Sequence, residues 1–343
     1  MSLGWILSYA LFAFAIGLLL TPWFVQFLRR NRLGKQLRVT AVDGRDASIF
    51  LKYHEKKFGT PAMGGILIWG SILLTVLLSR ILSYFGIVEH SLLQRGQVYL
   101  PLFIMVMFGI LGAIDDYLNI RGLGKNRGLD VLPKVFTLLL VSVAGAFWFY
   151  YKLRYDSISV PFYGPVHVGL WYIPIFIFIL FGTANAVNVT DGLDGLAGGL
   201  LVIAFGSFGV LAYLQGLFVL AALCAAAMGA VAAFLWHNVP PALFYMSDTG
   251  SMALGGMLAV IAMMTDQVLI LPLVGFIFVV EMLSVIIQLA SKKLRGGKKV
   301  FHSAPIHHHF EALEWGESKV TMRMWIAGAF VAFLGIIVGI IGK

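Results

Sequence analysis

Five aspartates stand in three short stretches that are otherwise apolar or glycine-rich. They are Asp115 and Asp116 in "GILGAIDDYLN", Asp191 and Asp194 in "NAVNVTDGLDGLAGG", and Asp248 in "FYMSDTGSMALGG". Several carboxylates among basic segments suit a divalent cation acting with a phosphate. Mg²⁺ takes one or two carboxylates plus phosphate oxygens rather than an all-protein cage, and lysines and arginines neutralise the remaining anionic oxygens. Single acids have a simpler reading: Asp191 or Asp194 could N-cap the helix that follows, and Asp248 its own, since aspartate is a favoured cap and suits the helix dipole. Asp115 and Asp116 resist that reading, because they are adjacent like charges toward a helix C-terminus, where the dipole disfavours them.

The elements that must position these acids are membrane spans. The chain of 343 residues is 60% hydrophobic and 12% charged, with a mean hydropathy of +0.91, which excludes an ordinary soluble domain. Hydropathy predicts an all-α polytopic membrane protein of about ten helices, near 3–28, 61–84, 98–118, 132–151, 171–189, 196–213, 216–236, 250–264, 267–290 and 322–342. No charge precedes Arg29, so the first of these reads as a retained span rather than a cleaved signal. No linker or internal repeat is visible, and 1–343 reads as one domain. The lone Cys224 lies in an apolar run and reads as a small core residue.

If connections alternate sides, twenty of the twenty-five lysines and arginines fall on one side. The positive-inside rule makes that side cytoplasmic and puts both termini outside. All five aspartates then lie inside, at cytoplasmic helix ends. The segment "YDSISVPFYGPVHVG" alternates around Pro161 and Gly164, which predicts a short external hairpin.

Familiar soluble phosphate and metal motifs do not account for the site. "GLGKNRG" lacks the Ser or Thr after Lys125 that a P-loop requires. "DGLDG" lacks the ligand spacing of an EF-hand. The last inner loop, "GGKKVFHSAPIHHHFEALEWGESKV", carries His302, His307, His308 and His309. Zinc is the obvious alternative there, but consecutive side chains diverge, and contact with a diphosphate or sugar fits the basic surroundings better. Nothing points to nucleic acid.

Taken together, "GTPAMGG", "GAIDDY", "NAVNVTDGLDGLAGG", "FLWHNVPPALFYMSDTGS", "EMLSVIIQ" and "APIHHHFE" resemble, in this order, the phospho-N-acetylmuramoyl-pentapeptide transferases. The aspartate motifs are shared with the wider polyprenyl-phosphate sugar-1-phosphate transferases, whereas "APIHHHFE" is similar to this branch. The resemblance implies attack of undecaprenyl phosphate on the β-phosphate of UDP-N-acetylmuramoyl-pentapeptide, with Mg²⁺, giving lipid I and UMP. It further implies ten helices, a cytoplasmic cleft in the bacterial inner membrane and a homodimer.

By the same resemblance, Asp248 is a Mg²⁺ ligand, with Asp115 and Asp191 beside it, and Asp115 and Asp116 are paired catalytic carboxylates. Asn185, Asn188, Asp191 and Asp194 fall on the nucleotide and metal side, with Gly192 and Leu193 backing the uracil. Lys57, Asn238 and Tyr245 match the uridine pocket, Lys125 and Lys134 meet phosphate, and His307, His308 and His309 match a catalytic histidine triplet. Four positions depart from the family pattern: Ala62 for a usual Thr, Ser247 for Gly, His237 for Phe and Asn119 for a common Lys.

Two chemical routes are open, direct attack by the lipid phosphate or prior attack by an aspartate to form a phospho-enzyme. A phosphate monoester has a second pKa near ~6 and needs little deprotonation, which favours direct attack. A groove beside the ninth span, bent at Pro272, would admit the lipid; Glu281 in that span either serves this groove or only bonds a neighbouring helix. A transporter would instead show midplane acids and inverted repeats. A sister transferase using UDP-N-acetylglucosamine is separated only by the histidine loop.

Overall fold

The computed structural model describes residues 2–34, 59–88, 91–94, 96–124 and 128–342. In chain order the helices are α1 (Leu3–Arg30), α2 (Gly65–Tyr84), α3 (Tyr99–Arg121), α4 (Val131–Phe147), α5 (Tyr172–Thr190), α6 (Leu196–Leu214), α7 (Phe218–Asn238), α8 (Ser247–Met264), α9 (Leu271–Val274), α10 (Phe276–Leu294), α11 (Ile306–Ala312) and α12 (Glu317–Ile341). Strands β1 (Ser157–Val160) and β2 (Gly164–His167) pair antiparallel, with Ser157 opposite His167 and Val160 opposite Gly164. This is the hairpin expected from the alternating pattern. Cys224 is buried, as expected.

Among the described residues nine helices are long and apolar enough to cross a bilayer. The crossing expected at 267–290 is broken: α9 stops at Gly275 and α10 begins at Phe276. Pro272 lies in the first turn of α9, where a missing N–H is tolerated, and the break falls at Gly275, whose N–H returns to the Leu271 carbonyl at 2.7 Å. The second half, α10, buries Glu281, Ser284, Gln288 and Ser291. Their spacing of three, four and three residues places them on one helical face. That polar stripe, with Lys292 and Lys293 in the last turn, makes α10 less apolar than its neighbours.

Helix α8 is the axis of the bundle. Every residue from Thr249 to Met264 is buried, and α8 packs against α2, α3 and α5. Small residues permit this, as they do in lipid generally, where close backbone approach replaces the hydrophobic drive. A side chain at Gly112 of α3 would overlap the Asp248 carbonyl, and one at Gly65 of α2 would overlap Gly250. On the other flank α7 packs against α1, α2 and α6, and α12 against α6.

The two ends of α8 are chemically different. At its C-terminal end Asp266 accepts the Ser159 N–H at 3.0 Å and also bonds the Ser159 hydroxyl, which pins the hairpin. Its N-terminal end carries Asp248. Eighteen helical residues rise about 27 Å, so the hairpin and the aspartates lie at opposite ends of the bundle.

Candidate active site

Helix ends converge at the Asp248 end of α8. Because Gly112 lets α3 lie directly against the start of α8, Asp115 and Asp116, about one turn further along α3, reach Asp248 and Thr249. The C-terminal part of α3 is longer than the hydropathy span: it runs to Arg121 and is capped by left-handed Gly122. The aspartate pair therefore sits inside the helix rather than at its last residues.

Lys134, in the first turn of α4, binds two of these acids. Its ammonium lies 2.7 Å from Asp115 Oδ2 and also donates to Asp248 Oδ2. The other oxygen of Asp115 accepts the Leu129 N–H at 2.7 Å, and the other oxygen of Asp248 accepts the Asn188 side-chain amide at 2.8 Å. The same amide nitrogen donates to Ser251 Oγ at 2.9 Å. Asp116 turns the other way. Its Oδ2 accepts both the Thr249 N–H, at 2.9 Å, and the Thr249 hydroxyl. The side chains of Lys134, Asp115 and Asp248 are 22%, 14% and 26% exposed, so the cluster is partly sheltered yet open on one side.

The acids are not helix caps. Neither α6 nor α8 has a side-chain cap bond. Asp191 Oδ2 instead accepts the Ser247 N–H at 2.9 Å, which ties the end of α5 to the start of α8. Asp194 is buried and its Oδ2 accepts the Ala242 N–H at 3.0 Å, while its own N–H donates to Glu317 at 2.7 Å.

Asn238 is buried too. Its Oδ1 accepts the Gly195 N–H and its amide donates to the Phe244 carbonyl, both at 2.9 Å. Tyr245 is linked through its backbone to Pro61 and Gly64. Asp194 and Asn238 thus lock together the loop that follows Asp191 and the loop that leads to Asp248. Leu193 is buried below the turn, and the Asn185 amide donates within its own helix to Phe181 at 2.8 Å. Lys57 and Lys125 lie outside the described residues.

The three histidines take three different partners. His307 is fully buried with Nδ1 3.0 Å from Glu281 Oε2, His308 Nδ1 is 2.6 Å from Glu311 Oε2, and His309 Nδ1 accepts the His302 N–H at 3.2 Å. Glu281 is thus bonded to the histidine helix α11. Further along the same face, Gln288 Oε1 accepts the N–H groups of Val300 and Phe301, both at 3.0 Å.

Sequence reading did not single out Thr249, Ser251, Gln288 or Glu317. Thr249 and Ser251 stand beside Asp248 in the quoted motif. The spacing of Glu281, Ser284, Gln288 and Ser291 was the available sign that α10 has a polar buried face. Glu317 carried no signal of its bond to the aspartate turn.

Among the described residues no three His, Cys, Asp or Glu side chains converge as a metal cage. What does converge is a pair of carboxylates about a cation, and these hard oxygen donors fit Mg²⁺ supplemented by phosphate oxygens. Asp191, Asp194 and Asp248 lie at helix ends, and Asp115 and Asp116 lie within the last two turns of α3.

Residues 98–266 match the family described as Glycosyl transferase family 4. The chain is 40% identical to the phospho-N-acetylmuramoyl-pentapeptide-transferase of Chloroflexus aurantiacus, over 96% of this chain and 88% of that protein. It is 39% identical to the protein of that name from a Geobacillus species and 40% identical to that from Anoxybacillus flavithermus, with 94% of both chains covered in each case.

Proposed function

The chain belongs to the phospho-N-acetylmuramoyl-pentapeptide transferase family, whose members form lipid I, and on that premise we propose that Asp115, Lys134 and Asp248 are the centre at which it does so. The donor is UDP-N-acetylmuramoyl-pentapeptide and the acceptor undecaprenyl phosphate. An acceptor oxygen bonds to the β-phosphorus, the bond from that phosphorus to the UMP oxygen breaks, and UMP leaves with the electron pair.

The observation that carries this reading is the single ammonium of Lys134 shared by two carboxylates on different helices. Phosphoryl transfer demands positioning and charge neutralisation more than covalent help from the protein. Lys134 fixes Asp115 and Asp248 in register and offsets their repulsion. Both oxygens of Asp115 accept a hydrogen bond, as do both of Asp248. Such donors occupy the oxygen lone pairs and weaken each carboxylate as a nucleophile, so direct attack is favoured over a phospho-enzyme. Asp248 and Asp115 would hold Mg²⁺ together with donor oxygens, with Asp191, bonded to the Ser247 N–H, as the further ligand that the family resemblance implies; when bound, the ion neutralises charge building on the diphosphate.

The site lies in the bacterial inner membrane and faces the cytoplasm, with both termini outside. The basic ends of α1 and α3, at Arg29, Arg30 and Arg121, support this. They share an end of the bundle with the acids: Leu33 and Arg121 mark it through their links to Ala62 and Asn31, and Pro61 is bonded to Tyr245. The homodimer rests on family resemblance.

The test is UMP release by purified protein with undecaprenyl phosphate and Mg²⁺, offered UDP-N-acetylmuramoyl-pentapeptide or UDP-N-acetylglucosamine, with Asp248→Asn as control. Turnover of the muramoyl donor alone, lost in the variant, is the expected result. Turnover of the other donor alone moves the protein to a sister pathway, and stoichiometric UMP release without lipid overturns direct attack.

A further inference from the structure

Glu281 on α10 and His307 on α11 form a polar pair whose side chains are 0% and 1% exposed. Glu281 Oε2 lies 3.0 Å from His307 Nδ1 and accepts the His307 backbone N–H at 3.5 Å. The outward atoms, Glu281 Oε1 and His307 Nε2, are buried without a hydrogen-bond partner. Stability alone is a poor reason for such a pair, because packed apolar side chains of the same volume serve at least as well, and unsatisfied buried polar atoms call for an explanation.

A reason for holding the ring in place lies on its far side. His307 Nε2 and Cε1 rest against Gly192, where any Cβ would overlap them. Gly192 is not among the residues with left-handed backbone, so its conformation would accept alanine. The imidazole is what excludes it. From Gly192 the chain passes directly to Asp191, which holds Ser247 beside Asp248.

We propose that Glu281 and His307 are positioning residues: together they brace the Asp191–Leu193 turn, with Glu281 fixing the ring and the ring fixing the backbone at Gly192. His307 then acts without touching substrate, unlike the role its place in the histidine triplet suggests. The glycine of the first "DG" is required because a histidine from another segment lies against it. The inference rests on the functional reading above, since the turn it braces is the one assigned to the donor.

The experiment compares Glu281→Gln, Gly192→Ala, His307→Ala and the double variant Gly192→Ala/His307→Ala, reading steady-state kinetics and Tm in detergent. Glu281→Gln is expected to raise the donor KM about tenfold, with the KM for undecaprenyl phosphate unchanged, a split that mere loss of folded protein does not produce. Gly192→Ala should lower Tm and reduce kcat/KM by roughly a hundredfold. Removing the ring in the double variant should recover both in part.

Additive losses in the double variant would overturn the brace and return His307 to the reacting groups. Unchanged donor KM in folded Glu281→Gln would overturn the part played by Glu281. If Glu281→Gln does not fold, Glu281→Asp, which keeps the charge at shorter reach, is read in the same way. Wild-type protein that turned over no muramoyl donor would sink the functional reading instead, while recovery of Tm in the double variant would still establish the steric brace.

Discussion

The Lys134 ammonium lies 2.7 Å from Asp115, and the same nitrogen reaches Asp248. Helices α3 and α8 thus bring together two acids whose mutual repulsion the shared cation offsets. Because the three side chains are at most about a quarter exposed, the charges are screened less than a surface pair would be. Lys134→Met should fold, since the helices are held by apolar packing, but lose about a hundredfold or more in kcat, measured as UMP release. Arginine should rescue poorly, its planar fork being unable to replace a point charge shared between two carboxylates. Turnover near the wild-type rate would remove Lys134 from the machinery.

Asp115 and Asp116 are adjacent in sequence but differ in surroundings. Asp116 is bonded to the Thr249 N–H and hydroxyl, groups of α8 itself, whereas Asp115 faces Lys134. An amide at 116 can still accept both Thr249 bonds; at 115 it would forfeit the charge. Asp116→Asn is therefore expected to retain at least about tenfold more kcat than Asp115→Asn. Thr249→Val should lower stability by roughly 1 kcal/mol through the lost hydroxyl bond, with kcat little changed. Equal losses in the two asparagine variants would show that both acids face the reaction.

Ser247 stands where the family resemblance implies glycine, and its φ of +60° is one that glycine adopts more readily. A side chain in the left-handed region costs about 1–2 kcal/mol, partly offset by the greater chain entropy of an unfolded glycine. Ser247→Gly should raise stability by roughly 0.5–1 kcal/mol, a shift in Tm of a degree or two, without loss of activity, because the Ser247 group that binds Asp191 is its backbone N–H. A fall in Tm would mean that the serine hydroxyl makes up for the strain.

Much of this was legible beforehand, for physical reasons. Apolar runs long enough for a bilayer reveal spans, and acids at their ends stand out against them, so the sequence alone groups Asp115, Asp191 and Asp248 on one side. The hairpin was legible from alternation alone. Three things were hidden. The break at Gly275 was masked because hydropathy averages over a window. The commitment of Asp194 and Asn238 to backbone groups depends on which loops meet, which no spacing encodes. The pairing of Glu281 with His307 joins residues 26 positions apart across separate helices, although the buried charge in an apolar span was itself a sign that a partner existed.

Under the proposed function, the carboxylate arrangement predicts how Mg²⁺ would bind. No three ligating side chains converge among the described residues, and Lys134 already lies between the two central acids, so the free protein offers a metal a poor site. Phosphate oxygens complete what the protein lacks. Mg²⁺ alone should therefore leave Tm nearly unchanged, whereas Mg²⁺ with UMP should raise it beyond the effect of UMP alone, as linkage requires when one ligand builds the other's site. Chelation should abolish turnover and Mg²⁺ restore it, with Asp248→Asn needing more of the ion. Strong stabilisation by Mg²⁺ without nucleotide would contradict this order of assembly, because it would require Lys134 to leave the carboxylates before any phosphate arrives to replace them.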